Sequence, residues 1–160
     1  MENFDQLLVA ATQELGSEYF YLAIHNAPAI YKERVYCYEI YYQLRRRWPK
    51  ETLYRLNGEV DKAGHPDFSK MRMIPDFLVH QPGTTNNFLV MEVKRCDSYD
   101  LNDFRKLRWF LKYGYKRAIW LVYGQDAENV AKEQMKALKK GDLIEVWVHK
   151  ESTQPAYRLT

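Results

Sequence analysis

The sequence predicts an α/β domain, a central mixed β-sheet sandwiched by helices. Helical stretches alternate with short apolar runs, and the order along the chain is helix, three strands, helix, strand, with an added helix in front and an added strand behind. Turn residues fall between the runs, at Pro82-Gly83, Asn86-Asn87, Gly114 and Gly141. At 160 residues, with no repeat or linker to divide it, the chain reads as a single domain over residues 1–160.

The elements follow in order. A first helix is expected over Phe4 to Leu15, ending at Gly16, and a second over Ala29 to Trp48, stopped by Pro49. Strand signals lie at Leu53 to Val60, Arg72 to Val79 and Phe88 to Arg95. Asp100 is placed to cap the next helix, with Asp103 in its first turn and Leu101, Phe104, Leu107 and Leu111 as its apolar stripe. Ala118 to Tyr123 reads as a buried strand and Ala127 to Lys140 as a lysine-rich helix. Leu143 to His149 is a further strand, and the tail to Thr160 is expected to pair at an edge.

Composition excludes several classes. Hydrophobic residues make up 46% of the chain, too many for intrinsic disorder. Cys37 and Cys96 lie far apart without ligand spacing, which argues against a disulfide scaffold or structural zinc and fits a reducing cytoplasm. The opening Met-Glu-Asn-Phe-Asp lacks the basic start of a secretory signal, and no apolar run reaches the ~20 residues that span a membrane. A net charge of +3 permits nucleic-acid binding without requiring it.

The chemistry concentrates between Ile74 and Lys94. Asp76 opens one apolar strand, and Glu92 and Lys94 bracket Val93 on the next. Alternation puts Glu92 and Lys94 on one face with Val93 toward the core, and a hairpin brings Asp76 beside them. Two acids on a half-buried face repel unless a cation lies between them. Hard oxygen ligands favour Mg²⁺ or Mn²⁺ there.

Pro75-Asp76 followed by Glu92-Val93-Lys94, on consecutive strands and flanked by helices, resembles the PD-(D/E)XK nuclease superfamily. The resemblance covers roughly Tyr31 to Tyr123. It implies a restriction-endonuclease-like sandwich with core order αβββαβ and a metal-dependent nuclease. Asp76, Glu92 and the backbone carbonyl of Val93 would hold the metal, and Lys94 would act on the attacking water. The helix acid of the family falls on Glu39, which either faces the cleft or pairs with Arg46 in solvent. Pro66-Asp67 also fits the short motif but has no apolar strand behind it.

Further candidates surround this set. Gln43, one turn from Glu39, is placed to contact a water or phosphate, Glu59 is the rival acid, and His80 shares a strand face with Asp76. Arg45, Arg46 and Arg47, with Arg105, Lys106 and Arg108, are expected to follow a phosphate backbone. DNA is the expected partner and RNA an open alternative; no organic cofactor is implied. A homodimer is suggested by the small members of the superfamily and by Trp109, Trp120 and Trp147 if these are exposed. The competing reading is a catalytically silent nuclease fold that binds nucleic acid or a partner protein in a larger assembly.

Overall fold

A computed structural model describes residues 3–60, 73–98, 100 and 102–160. Pro66-Asp67 and the expected strand start at Arg72 lie outside the described residues. Helix α1 (Phe4–Gln13) forms where Phe4, Leu8 and Ala11 recur on one face, and all three are fully buried. Thr12, one turn after Leu8, accepts the Ala156 amide at 2.8 Å and so ties the C-terminal tail to this helix. A single helical turn, α2 (Ser17–Phe20), follows.

The second long helix starts later than its sequence suggests. Residues Ala27–Ile30 form strand β2, paired antiparallel with β1 (Leu22–Ile24) across Asn26 at φ 55°. Pro28 disfavours the helical conformation at Ala27, and Ile30 is β-branched, so this segment extends before α3 (Glu33–Arg46) begins. The expected onset at Ala29 is therefore corrected to Glu33, and the expected end at Trp48 to Arg46. The shift puts Glu33 in the first turn of the helix.

The remaining elements are β3 (Arg55–Gly58), β4 (Phe77–His80), β5 (Asn87–Arg95), α4 (Asn102–Lys112), β6 (Arg117–Tyr123), α5 (Ala127–Gln134), β7 (Ile144–His149) and β8 (Tyr157–Arg158). The lysine-rich helix is shorter than expected, giving way to a 3₁₀ turn at Met135–Ala137. Asp100 accepts the Asn102 amide at 2.8 Å, as a cap does. The six strands β3 to β8 form one sheet in sequence order. The steps β3–β4–β5 are antiparallel, β5–β6–β7 parallel through α4 and α5, and β8 lies antiparallel at the edge, as the tail was expected to do.

Alternation divides the core in two. Leu89, Met91 and Val93 of β5 face α1, α2 and α3, together with Phe77, Val79, Ile119 and Leu121. Val90, Leu78, Trp120 and Val122 face α4 and α5 through Phe104, Leu107 and Ala131. The helices thus flank the sheet on both faces. Arg117 clamps the first layer to the sheet, donating to both oxygens of Glu145 at 2.7 and 2.6 Å and to Asp5 at 2.5 Å. No described helix is long and apolar enough to cross a membrane.

Several side chains depart from their expected environments. Trp120 and Trp147 are buried and only Trp109, half-buried, keeps part of its ring at the surface. Gln43, expected off the apolar stripe of its helix, is buried with it. Leu111 is only half-buried, and Phe110 takes its place in the core.

Candidate active site

Strand β4 starts too late to cover all of β5. The pairing begins at Phe77 opposite Met91, so β5 runs on from Glu92 to Arg95 without a β4 neighbour. On its other side β5 stays paired, with Glu92 opposite Trp120 and Lys94 opposite Val122. Asp76, just before β4, fills the open edge with its side chain, and its Oδ2 accepts the Val93 amide at 2.7 Å. The N–H and C=O of one strand residue point to the same side, so the Val93 carbonyl faces this edge too.

Glu92 and Lys94 share the sheet face of Val90, under α4. Both are nearly inaccessible, at 2% and 9% exposure. Helix α4 answers them with Asp103 and Lys106, one turn apart. Lys106 Nζ lies 2.5 Å from Glu92 Oε2 and 3.4 Å from Asp103. Lys94 Nζ lies 3.1 Å from Asp103 and 3.8 Å from Glu33, which reaches over from the start of α3. Residues from β4, β5, α3 and α4 therefore meet at one end of the sheet.

Among the described residues Glu33, Asp76, Glu92 and Asp103 gather around Lys94 and Lys106, so the carboxyl groups of the cluster outnumber its ammonium groups. The carboxyl groups register the imbalance. Burial lifts the Asp76 pKa to about 6, and the neighbouring Glu33 adds to the rise while the Val93 amide opposes it. Burial and the charge of Asp76 push Glu92 well above the usual carboxylate range against the pull of Lys106. Burial works against the ammonium of Lys94, but Asp103 and Glu33 outweigh it and hold its pKa above the ordinary lysine value.

The donor set fits a hard divalent cation. Glu92 Oε1 is buried with no hydrogen-bond partner among the described residues, which is costly for a carboxylate unless a cation meets it. Such an ion would also favour the ionised form of Asp76 and Glu92. Among the described residues no three of Asp, Glu, His and Cys gather as a ready metal group. Asp76 and Glu92 would supply two side-chain ligands, and the Val93 carbonyl is the third donor at that edge.

The other sequence candidates are distributed around the cluster. Glu39 accepts a bond from Gln43 at 2.6 Å, and Gln43 in turn accepts one from Arg47 at 2.7 Å, so these three form a chain along α3. Among the described residues no hydrogen bond or ion pair joins that chain to Asp76, Glu92 or Lys94; the acid of α3 that contacts Lys94 is Glu33. Glu59, at φ 45°, pairs with Arg34 at 3.4 Å, and its amide donates to the Asp76 carbonyl at 3.0 Å. His80 bonds Asn57 Oδ1 at 3.0 Å, beyond a register shift that interrupts the strand.

The basic residues separate into two groups. Arg45, Arg46 and Arg105 are exposed. Arg47 leans on Gln43 and Glu14, while Arg108 is locked in a fork on Asp142, with bonds of 2.7 to 3.1 Å, and on the Ala137 carbonyl. Lys106 belongs to the acid cluster rather than to an outer surface.

Sequence reasoning missed Glu33, Asp103 and the inward role of Lys106. The signal for the last two was present: an Asp and a Lys three apart lie on one helix face, and here that face is turned inward. Glu33 was hidden by the misplaced helix onset. Compared with protein-family profiles and with curated proteins, the chain matches none.

Proposed function

We propose that this chain is a metal-dependent phosphodiesterase of the PD-(D/E)XK type, with a restriction-endonuclease-like core formed by α3, β3, β4, β5, α4 and β6. More particularly, we read it as a nuclease that hydrolyses DNA with Mg²⁺ or Mn²⁺. The observation that carries this reading is the convergence of Asp76, Glu92 and Lys94 where β5 runs on past its pairing with β4, in a cluster whose described carboxyl groups outnumber its ammonium groups.

A divalent ion bound there would acidify a water and neutralise the scissile phosphate. Asp76 and Glu92 hold negative charge toward it, and the Val93 amide fixes the Asp76 carboxylate in place. Lys94, kept protonated by Asp103 and Glu33, orients the attacking water and stabilises the charge that builds on phosphorus. Exposed Arg45, Arg46 and Arg105 supply sequence-independent attraction to phosphates.

A second reading, a silent nuclease fold used for binding, draws support from one observation: Lys106 already neutralises Glu92. The test is a cleavage assay on labelled duplex, single-stranded and branched DNA and on RNA, with Mg²⁺ or Mn²⁺ and with Asp76→Ala as the contamination control. Metal-dependent cutting that disappears in the variant is the expected result. Absence of cutting on every substrate, together with no Mn²⁺ binding, would favour the silent fold.

A further inference from the structure

On the α3 side of Asp76 lies a cavity of about 340 Å³ that the proposed chemistry does not use. Tyr38, Tyr41 and Phe77 form its aromatic walls, Asn57 and Glu59 are polar residues of its lining, and Asp76 is common to the cavity and the acid cluster. Tyr41 and Phe77 lie nearly parallel, 12° apart with centroids at 6.3 Å, which presents a flat apolar surface. Tyr38 is 62% exposed, although such a ring is worth burying. The volume is near the lower end for ligand sites, enough for one flat heterocycle and too small for a base pair.

Gly58 lines the same space. A Cβ there would meet the Asp76 carbonyl at 3.6 Å, Tyr41 at 3.9 Å and Phe77 at 4.0 Å, all ordinary contacts. A larger side chain would extend among these walls. The absence of one keeps the cavity open beside Asp76.

We infer that this cavity receives one unpaired nucleobase of the substrate strand, next to the phosphate that is cut. The inference rests on the nuclease reading and names its substrate class: single-stranded DNA, or a strand with a splayed base at a branch, in preference to intact duplex. A base held in a duplex stays stacked on its neighbours and must be extruded to reach such a pocket. An unpaired base enters at no such cost, stacks on the tyrosines and finds hydrogen-bonding partners in Asn57 and Glu59. Arg34, 70% exposed and paired with Glu59, stands beside this lining as a cation for the adjoining phosphate.

The experiment compares a short oligodeoxythymidylate with an abasic sugar-phosphate oligomer of equal length, by fluorescence polarisation. Ca²⁺ replaces Mg²⁺ so that nothing is cut. The native chain is expected to prefer the base-bearing strand by about 5- to 100-fold, the worth of one stacked base. Gly58→Leu should collapse that preference while leaving affinity for the abasic oligomer unchanged, and Gly58→Ala should retain most of it. Tyr38→Ala, at an exposed position, gives the same readout should the leucine variant misfold. Equal binding of both strands by the native chain overturns the inference, and if Mg²⁺-dependent cleavage persists the nuclease reading stands without it. Full preference in a folded Gly58→Leu or Tyr38→Ala variant also overturns it. Failure to bind either oligomer removes both readings.

Discussion

Lys106 Nζ lies 2.5 Å from Glu92 Oε2, so a lysine of α4 meets the buried acid at the point where Asp76 and Glu92 call for a cation. The neutralisation is partial. Asp103 shares the same ammonium at 3.4 Å, and Glu92 Oε1 keeps no partner among the described residues. Lys106 therefore moderates the charge of the cluster without completing it.

Lys106→Gln follows directly. Removing the ammonium frees both Glu92 oxygens for a divalent ion, so Mn²⁺ should bind about 10-fold more tightly, by titration with paramagnetic detection. The same change should lower metal-free stability by about 1–3 kcal/mol, because it strips a partner from a buried acid. Weaker Mn²⁺ binding would mean that Lys106 supports the site rather than competing for it.

Lys94→Ala separates binding from chemistry. Mn²⁺ affinity should change little, since Lys94 contacts Asp103 and Glu33 rather than the proposed ligands. Single-turnover cleavage should fall by about 10²-fold or more, as loss of a charge-stabilising group does. Cutting at the parental rate would remove Lys94 from the mechanism. Lys94→Arg is a poor rescue, because a planar fork does not replace a compact ammonium in so closed a place.

The pH dependence of metal-free stability should combine groups of opposite sign. The folded pKa of Asp76, about 6, is raised above its ordinary 3.8, so with rising pH the metal-free fold loses stability across that interval. Burial depresses His149 from 6.5 to about 4, so its contribution is present above pH 6.5 and is lost as pH falls toward 4. The raised pKa of Glu92 acts in the same direction as that of Asp76, so the two carboxyl groups together oppose His149. In Asp76→Asn, which keeps an oxygen for the Val93 amide, urea melts in EDTA should show stability shifted toward a rise between pH 4 and 6.5 relative to the native chain. In His149→Phe they should show it falling. Parallel profiles in the two variants would refute this balance.

Two arginines of α4 three residues apart, Arg105 and Arg108, have different roles and give a further contrast. Arg105→Ala should weaken DNA binding several-fold at low salt and leave the melting temperature alone, since its side chain is exposed. Arg108→Ala should cost about 1–3 kcal/mol of stability by releasing Asp142 and the Ala137 carbonyl, with little effect on DNA binding. Polarisation and thermal melts on both variants decide it.

Periodicity and turn residues by themselves determined the helix–strand order from α3 onward, the three-strand run ending in Glu92-Val93-Lys94 and the pairing of the tail, because those depend on local geometry. They placed Asp76 beside that run, where its carboxylate accepts the Val93 amide. They did not determine which groups from distant elements reach the same end of the sheet. Glu33 became the neighbouring helix acid only because β2 delays the start of α3. Asp103 and Lys106 turned inward only because α4 lies over the β5 face that carries Glu92 and Lys94. Trp120 and Trp147 were buried by the layers on either side of the sheet. A charge on a helix has no preferred partner until packing fixes which charge lies across from it. The strands were legible from local spacing, and the company of the acids was decided by tertiary structure.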